Sequence, residues 1–358
     1  MKILCLIESL GAGGAERQLC TLASLLKKEG HELTVCSFMK GDFYLPVLER
    51  EGIGHIFIEP SFHRWLDDLK VVREIRRQKP DVLIAYLKKA CMLACIAKKA
   101  GGSFRLIVSE RNTSTSLGKE EKRRFPLFGC ADAIVPNSYS QADFIRRYYP
   151  ELVRKIKVIP NTVDLAHFSP ADGKETMGEI PEIIVPASIK PSKNTMLFLD
   201  ALSLLSKRGH AFHVSWFGRD GGDSAYAERC AARIEELGLS GYISLKDKVE
   251  DIAGRYCESD FFCLPSLFEG TPNALCEALA SGLPALCSNV CDNPRYVRPG
   301  ENGFLFDPLS AEDMARKLSS ALSMPADAYR KACHLSRSVA ENNFGARGFI
   351  AAYLSLLE

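Results

Sequence analysis

The sequence predicts an α/β protein built from two doubly wound domains. Short apolar runs of strand length alternate with amphipathic stretches of helix length along the whole chain, a pattern typical of parallel sheets flanked by helices. Runs such as residues 82–85 are apolar on both faces, as expected for strands that helices cover on both sides. At about 150 residues per domain, the 358 residues correspond to two domains.

The first half of the chain contains a series of candidate strands, most of them separated by stretches of helix length. These strands are expected at residues 2–7, 33–38, 53–58, 82–86, 106–109, 133–135 and 157–159. The strongest break in the pattern follows at residues 160–178, where Pro, Asp and Gly are frequent. Such a composition indicates a linker.

The second half of the chain repeats the alternation. Strands are expected at residues 183–186, 212–217, 242–245, 261–264 and 284–287, and residues 344–357 predict a last helix. We therefore expect an N-terminal domain of residues 1–165, a C-terminal domain of residues 166–343 and a terminal helix within residues 344–358. Ligands of such sheets bind beyond the carboxyl ends of the strands.

The overall charge is nearly balanced but is unevenly distributed. Forty-six Lys and Arg residues face 44 Asp and Glu residues, and 46% of the chain is hydrophobic, which excludes disordered and collagen-like classes. Residues 1–170 carry a net charge of +8 and the remainder −6. The basic residues concentrate at 64–79, 88–99 and 119–124. These basic segments indicate either contact with an anionic partner such as a membrane or nucleic acid, or helix faces that are exposed to solvent and bind nothing.

Cysteine usage and apolar run lengths predict a cytoplasmic protein. The thirteen cysteines are odd in number, form no Cys-x-x-Cys pair and lie partly within apolar runs, as is typical of reduced, buried thiols. The apolar run at residues 3–7 is too short for a signal peptide. The run at residues 91–97 is far shorter than the roughly 20 residues of a membrane span.

A glycine-rich segment, Gly11-Ala12-Gly13-Gly14, follows the first expected strand and opens a helix. Glycines at such a place let backbone N–H groups approach a phosphate at the helix N-terminus. The segment is not a dinucleotide fingerprint, because Glu16 stands where the third glycine belongs and the second strand ends without an acid. NAD binding is therefore not expected. The alternative is a tight turn that needs glycine only for its conformation.

A second motif follows the expected strand at residues 261–264. It reads Ser-Leu-Phe-Glu-Gly-Thr-Pro-Asn-Ala-Leu-Cys-Glu from residue 266 and places Glu269 in a loop and Glu277 about one turn into a helix. Both carboxylates can project toward one ligand over the helix N-terminus. The first-turn N–H groups there can meet a diphosphate without a metal ion.

This motif resembles the E-x7-E motif of the retaining glycosyltransferases of family 4, which have the GT-B fold of two Rossmann-like domains with a cleft between them. The resemblance extends to the glycine-rich loop, to Val-Ile-Pro-Asn-Thr-Val-Asp at residues 158–164, to Gly238-Leu239 and to residues 260–266. It implies a nucleotide-sugar donor held mainly by the C-terminal domain and an acceptor bound by the N-terminal domain. It also implies that the terminal helix packs back onto the N-terminal domain.

The resemblance assigns roles to individual residues. Glu277 is expected to bind the ribose hydroxyls and Glu269 the hydroxyls of the donor sugar. Gly13 and Gly14 are expected to close over the diphosphate. The remaining donor contacts implied are the backbone N–H groups of Gly270, Thr271, Asn273, Ala274 and Leu275. Lys193 matches a family lysine, and a cation there stabilises the leaving diphosphate.

The sequence departs from the family pattern at two places. Ser188 stands where the family has a phosphate-binding Arg, and Lys190 is a candidate substitute, although a lysine does not reproduce the two-pronged guanidinium. Some relatives have a His facing the donor sugar after the strand at residues 106–109. Glu110 or Arg111 takes that place here, as an acceptor or sugar contact or as part of a structural ion pair. No His/Cys/Asp cluster suggests a metal site.

The expected function is transfer of a hexose or N-acetylhexosamine, with retention and without a metal cofactor, from a nucleotide-diphosphate sugar to a glycan or lipid-linked glycan. UDP is favoured because it is the commoner donor base in the family. The expected setting is synthesis of cell-surface polysaccharide or lipopolysaccharide. The alternatives are a non-catalytic GT-B partner that binds nucleotide sugar, motivated by Ser188, and a GT-B sugar-nucleotide epimerase.

The expected location is the cytoplasm, with peripheral contact on an anionic membrane through the basic N-terminal domain. Aromatic or aliphatic residues alternate with arginine at residues 62–66 and 123–128, as in surfaces that dock on anionic lipid. Nucleic-acid binding is not expected, because the basic residues belong to no recognisable nucleic-acid motif.

Overall fold

The computed structural model describes residues 1–61, 63–171, 173–174, 176–219 and 223–358, and all but the side chain of Arg64 within them. Phe62 of the expected docking segment and residues 172 and 175 of the expected linker lie outside the described residues. The chain divides into two compact units, Met1–Asn161 with Ala346–Glu358, and Thr162–Gly345. Each unit contains one six-stranded parallel sheet, so the expectation of two Rossmann-like domains is confirmed.

The first unit has the sheet order β3-β2-β1-β4-β5-β6. Its strands are β1 (Lys2–Ile7), β2 (Glu32–Ser37), β3 (Gly54–Phe57), β4 (Val82–Tyr86), β5 (Arg105–Glu110) and β6 (Ala133–Pro136). Its helices are α1 (Gly14–Lys28), α2 (Leu45–Arg50), α3 (Arg64–Gln78), α4 (Lys88–Lys99), α5 (Lys119–Arg124) and α6 (Tyr139–Tyr148), with 3-10 turns at Phe125–Cys130 and Pro150–Lys155.

The second unit has the order β12-β11-β10-β7-β8-β9, which is the same topology. Its strands are β7 (Glu182–Pro186), β8 (His213–Phe217), β9 (Ile243–Lys246), β10 (Phe261–Leu264), β11 (Ala285–Ser288) and β12 (Gly303–Phe306). After a 3-10 turn at Pro191–Lys193, its helices are α7 (Thr195–Lys207), α8 (Ser224–Glu236), α9 (Ile252–Glu258), α10 (Asn273–Ala280), α11 (Asn293–Tyr296), α12 (Ala311–Leu322) and α13 (Ala326–Phe344). The chain then returns to the first unit as α14 (Ala346–Leu354).

Alternation along the central strands builds a core on each face of both sheets. In β1, Ile3 and Cys5 belong to one buried cluster while Leu4 and Leu6 belong to another, because successive side chains of a strand point to opposite faces. The first cluster includes α1 and α14, and the second includes α3 and α4. None of the helices in the described part of the chain combines the length and apolar composition needed to cross a membrane.

The structure differs from the sequence expectation at four places. Residues 157–159 form no strand: the bridge to Ile134 is made by Ile156, and beside it the Lys157 and Ile159 N–H groups donate to the Ile134 and Pro136 carbonyls. The strand β12 was not predicted. The division between the units falls after Asn161 rather than after residue 165, and Phe344 closes α13 instead of opening the last helix. The Phe344 carbonyl accepts hydrogen bonds from the Thr162 hydroxyl and the Val163 N–H, which fixes these residues in the second unit.

Candidate functional site

Two residues expected to act on one donor, Lys193 and Glu269, touch each other in the second unit. Lys193 ends the turn after β7, and Glu269 lies in the loop after β10, the neighbouring strand. The Lys193 ammonium donates to a Glu269 carboxylate oxygen, and both side chains are largely buried. The Leu267 N–H also donates to the Ser192 carbonyl at 3.0 Å. The two loops therefore form one surface at the carboxyl end of the sheet.

The loop that carries Ser188 is fixed by close contact with the end of β8. The Ala187 N–H donates to the Phe217 carbonyl at 3.0 Å, and the Ile189 N–H to the Gly218 carbonyl at 3.2 Å. A Cβ atom at Gly218 would lie 2.6 Å from the Ala187 oxygen, so only glycine permits this approach. Ser188 is half-buried in this loop, whereas Lys190 is exposed.

Glu277 is a buried carboxylate in the short helix α10. Its Oε2 lies 3.1 Å from the hydroxyl of Tyr256, a fully buried residue of α9 whose hydroxyl is also 3.2 Å from the Ala274 carbonyl oxygen. A helix leaves its first-turn N–H groups without an intrahelical acceptor, and in α10 those groups include Ala274 and Leu275. Sequence reasoning missed Tyr256, because a buried tyrosine on a neighbouring helix gives no motif signal.

In the first unit, the N-terminus of α1 faces a carboxylate of its own chain. Gly13 caps the helix, and a Cβ atom there would lie 2.0 Å from Oε2 of Glu16. The Ser9 hydroxyl donates to the same carboxylate at 3.4 Å. Burial raises the pKa of Glu16. A side chain at Gly13 would displace the Glu16 carboxyl, which lies against the segment expected to meet a phosphate.

Glu110 and Arg111, adjacent at the end of β5, have different partners. Glu110 is fully buried, with Oε2 3.1 Å from Arg124 Nη2, and it accepts a hydrogen bond from the Asn112 N–H. Burial raises the pKa of Glu110, an effect that the Arg124 charge opposes. This geometry is the structural ion pair considered above. Arg111 instead stacks on Tyr86, with its guanidinium carbon 4.6 Å from the ring centroid.

The burial of Arg124 corrects part of the expected membrane-docking surface. Arg124, Phe125 and Phe128 have no exposed side-chain surface, because the turn Phe125–Cys130 packs against α4 in the core. Residues 123–128 therefore present no alternating basic and aromatic surface. Across the described residues, no group of three His, Cys, Asp or Glu side chains is placed to hold a metal ion.

Comparisons with known proteins agree along most of the chain. Residues 12–167 match a family model described as Glycosyltransferase Family 4, and residues 180–324 match one described as Glycosyl transferases group 1. A curated relative from Campylobacter jejuni is named GalNAc-α-(1→4)-GalNAc-α-(1→3)-diNAcBac-PP-undecaprenol α-1,4-N-acetyl-D-galactosaminyltransferase. It is 26% identical, and the alignment covers 90% of this chain and 89% of the relative.

Two further similarities come from a bacterial relative and a solved structure. The lipopolysaccharide core biosynthesis glycosyltransferase LpsE of Rhizobium meliloti is 26% identical over 87% of this chain and 86% of its own. The crystal structure of Anabaena Alr3699/HepE in complex with UDP-glucose superposes with a TM-score of 0.86 at 20% identity, covering 99% of both chains. This structural likeness establishes the fold.

Proposed function

The chain belongs to glycosyltransferase family 4 and has the GT-B fold; on that premise we propose that this glycosyltransferase moves a hexose or N-acetylhexosamine from a UDP-sugar to a lipid-linked glycan. We further propose that the reaction retains the anomeric configuration and needs no metal ion. The observation that carries the proposal is the contact of Lys193 with Glu269 beside the helix that bears Glu277. A cation, two carboxylates and a helix N-terminus suit a nucleotide-diphosphate sugar.

Each residue has a distinct role in this proposal. The Lys193 ammonium, together with the N-terminus of α10, stabilises negative charge on the departing diphosphate. Glu269 accepts hydrogen bonds from hydroxyls of the donor sugar, and Glu277 accepts them from the ribose. The backbone N–H groups that would contact sugar and diphosphate are those of Gly270, Thr271, Asn273, Ala274 and Leu275. Ser188 lies in the loop before Lys193 and offers a neutral hydroxyl.

The proposed chemistry needs no protein nucleophile. The bond between the acceptor oxygen and the anomeric carbon forms on the face from which the phosphate departs. The acceptor proton passes to the departing phosphate oxygen, so the charge on the diphosphate is partly neutralised. From the first unit, Gly13 and Gly14 are proposed diphosphate contacts. The Glu16 carboxyl lies beside Gly13, so the diphosphate would approach this segment next to a carboxyl group.

The relatives support the proposed donor and acceptor classes. HepE is described in complex with UDP-glucose, and the name of the Campylobacter enzyme places its acceptor glycan on undecaprenyl diphosphate. LpsE is named for lipopolysaccharide core biosynthesis. Synthesis of a cell-surface glycan on a lipid carrier is therefore the proposed setting.

Calorimetric titration without metal tests the donor assignment. We expect saturable binding of UDP and none of GDP, ADP or NAD. Glu277→Ala should weaken UDP binding about tenfold to a hundredfold, because charge-assisted hydrogen bonds to the ribose are lost. Glu235→Ala removes an exposed carboxylate of α8 and should bind UDP as the wild type does. Equal affinities of all three proteins, or no nucleotide binding by the wild type, would refute the assignment.

A turnover assay with and without acceptor separates the remaining readings. Transfer should require the acceptor, continue in EDTA and give a product with the donor's anomeric configuration. Release of UDP with a modified free sugar, in the absence of acceptor, would instead identify an epimerase. Nucleotide binding without any turnover would favour the non-catalytic reading that Ser188 motivates.

We also propose that the first unit contacts an anionic membrane at the cytoplasmic face through α3. Trp65, Leu69, Arg73 and Arg76 are exposed, and their helical spacing places them on one face, opposite the buried Val71. Exposed aromatic and aliphatic groups beside arginines suit the interface of anionic lipid. No disulfide joins the thirteen cysteines, all of which lie among the described residues, and this fits a reducing compartment.

Sedimentation with anionic liposomes tests this surface. The wild type should sediment at low salt and be released as salt screens the arginines. The double variant Trp65→Ser/Leu69→Ser should sediment much less. Ile180→Ser is the control, because Ile180 of the second unit is as exposed as Trp65, at 63% each. Absent sedimentation of the wild type, or an equal loss in the control, would contradict membrane contact.

A further inference from the structure

Arg111 has a cationic group that the first unit buries without an anionic partner. Both terminal nitrogens, Nη1 and Nη2, are buried, and neither has a hydrogen-bond partner among the described residues. Arg124, only 13 residues away in the chain, is different: its guanidinium lies 3.1 Å from carboxylate oxygens of both Glu110 and Glu120. Among the described residues, Arg124 therefore has carboxylate partners and the terminal nitrogens of Arg111 have none.

The Arg111 guanidinium packs on the ring of Tyr86, whose hydroxyl in turn contacts a second tyrosine. Tyr86, the last residue of β4, is fully buried, and its ring lies 4.6 Å from the guanidinium carbon. The Tyr86 hydroxyl is 2.6 Å from that of Tyr353 in α14. Burial keeps the pKa of Tyr86 well above its ordinary value, so the ring remains neutral. Stacking engages only the face of the guanidinium, and the terminal N–H groups at its edge have no acceptor among the described residues.

The energetics of this arrangement call for an anion. A charged group buried without a partner loses hydration that one cation–π contact only partly replaces. An anion with two oxygens matches the parallel N–H donors of a guanidinium and restores the missing hydrogen bonds. Arg111 directly follows β5, at the carboxyl end of the sheet, where doubly wound folds bind their ligands.

We infer that Arg111 is the anchor for a phosphate or carboxylate group of the acceptor. The inference rests on the proposed function and on the assignment of acceptor binding to the first unit, which the family resemblance implies; most of the donor contacts belong to the second unit. Two acceptor chemistries supply the same two-oxygen anion: the diphosphate that joins a short glycan to its lipid, and the carboxylate of an acidic sugar. A neutral glycan alone leaves Arg111 unpaired.

The test is titration of the full-length protein, saturated with UDP, with two matched pairs of probes. The first pair is farnesyl-diphospho-N-acetylglucosamine and neutral farnesyl N-acetylglucosaminide. The second is octyl glucuronide and octyl glucoside. The wild type should bind the anionic member of one pair about tenfold to a hundredfold more tightly than its neutral member, the range of charge-assisted hydrogen bonds. The pair that shows the preference identifies the anion.

Arg111→Gln should lose this preference while binding the neutral probes as the wild type does. Arg111→Lys should retain only part of the preference for the anionic probe, because an ammonium group lacks the two parallel N–H donors of a guanidinium. Arg154→Gln removes an exposed arginine of the same unit and should behave as the wild type. The melting temperature of Arg111→Gln should equal or exceed that of the wild type, since an unpaired buried charge is removed; a structural role would lower it.

Three outcomes would overturn the inference. One is that the wild type and Arg111→Gln bind every probe with equal affinity, or that neither protein binds any probe. Another is an equal loss for anionic and neutral probes, which indicates general damage to the site. The third is weaker UDP binding by Arg111→Gln, which would mean that Arg111 binds the diphosphate of the donor and not an anion of the acceptor. Failure of the proposed function is seen separately, as absence of UDP binding by the wild type.

Discussion

Lys193→Ala is expected to lower kcat about a hundredfold to a thousandfold, the usual effect of removing a group aimed at charge that develops in the transition state. Lys193 lies in a turn at the carboxyl end of the second sheet and contacts Glu269. Its removal takes away the cation that would stabilise the departing diphosphate. The fold should remain intact, because Lys193 lies in a turn outside the sheet and its side chain is partly exposed.

The measurement is single-turnover transfer by purified protein, with circular dichroism to verify folding. Lys331→Ala is the matched control, because it removes an exposed lysine of α13 in the same unit and should leave kcat unchanged. Glu269→Gln should also reduce turnover. The effects of the two substitutions should not add, since the two side chains are in contact. Wild-type turnover by folded Lys193→Ala would contradict the assigned role.

Arg124→Met is expected to destabilise the first unit by about 3–5 kcal/mol, the cost of leaving one member of a buried ion pair without its partner. Glu110 and Arg124 are both fully buried. Methionine fills much of the arginine volume, so the loss arises from the Glu110 carboxylate and not from a large cavity. Urea unfolding measures the change in the free energy of unfolding.

The destabilisation of this variant should depend on pH. Burial raises the pKa of Glu110, and without Arg124 the largest interaction that opposes this rise is lost. The folded variant then binds a proton that the unfolded chain releases near the ordinary glutamate pKa of about 4.3. Its free energy of unfolding should therefore fall as the pH rises above that value.

Two controls isolate this pair of residues. Adding Glu110→Gln to Arg124→Met should recover part of the stability at neutral pH, because no buried charge remains. Arg154→Met replaces an exposed arginine and should change stability by less than about 0.5 kcal/mol. A pH-independent loss, or no recovery in the double variant, would show that the Glu110 charge is not the cause.

The sequence by itself determined most of the secondary structure and the position of the donor motif. Strands such as β4 and β10 are apolar on both faces, a local pattern that needs no knowledge of neighbours. The local apolar pattern gave a wrong prediction where pairing with a neighbouring strand decides whether a segment joins the sheet. Residues 157–159 have strand composition but form no strand, and the bridge to β6 is made by the preceding Ile156. The short β12 begins at Gly303, where a Cβ atom would lie 1.9 Å from the Ala285 oxygen, so a neighbouring strand requires this glycine.

Only the tertiary structure decided which side chains meet. Lys193 and Glu269 are 76 residues apart and touch because β7 and β10 are neighbours in the sheet. Adjacent residues at the end of β5 differ for the same reason: Glu110 meets Arg124, whereas Arg111 meets Tyr86. Strand order determines which loops lie side by side, and burial then determines which charges need a partner. Neither quantity can be read from local composition.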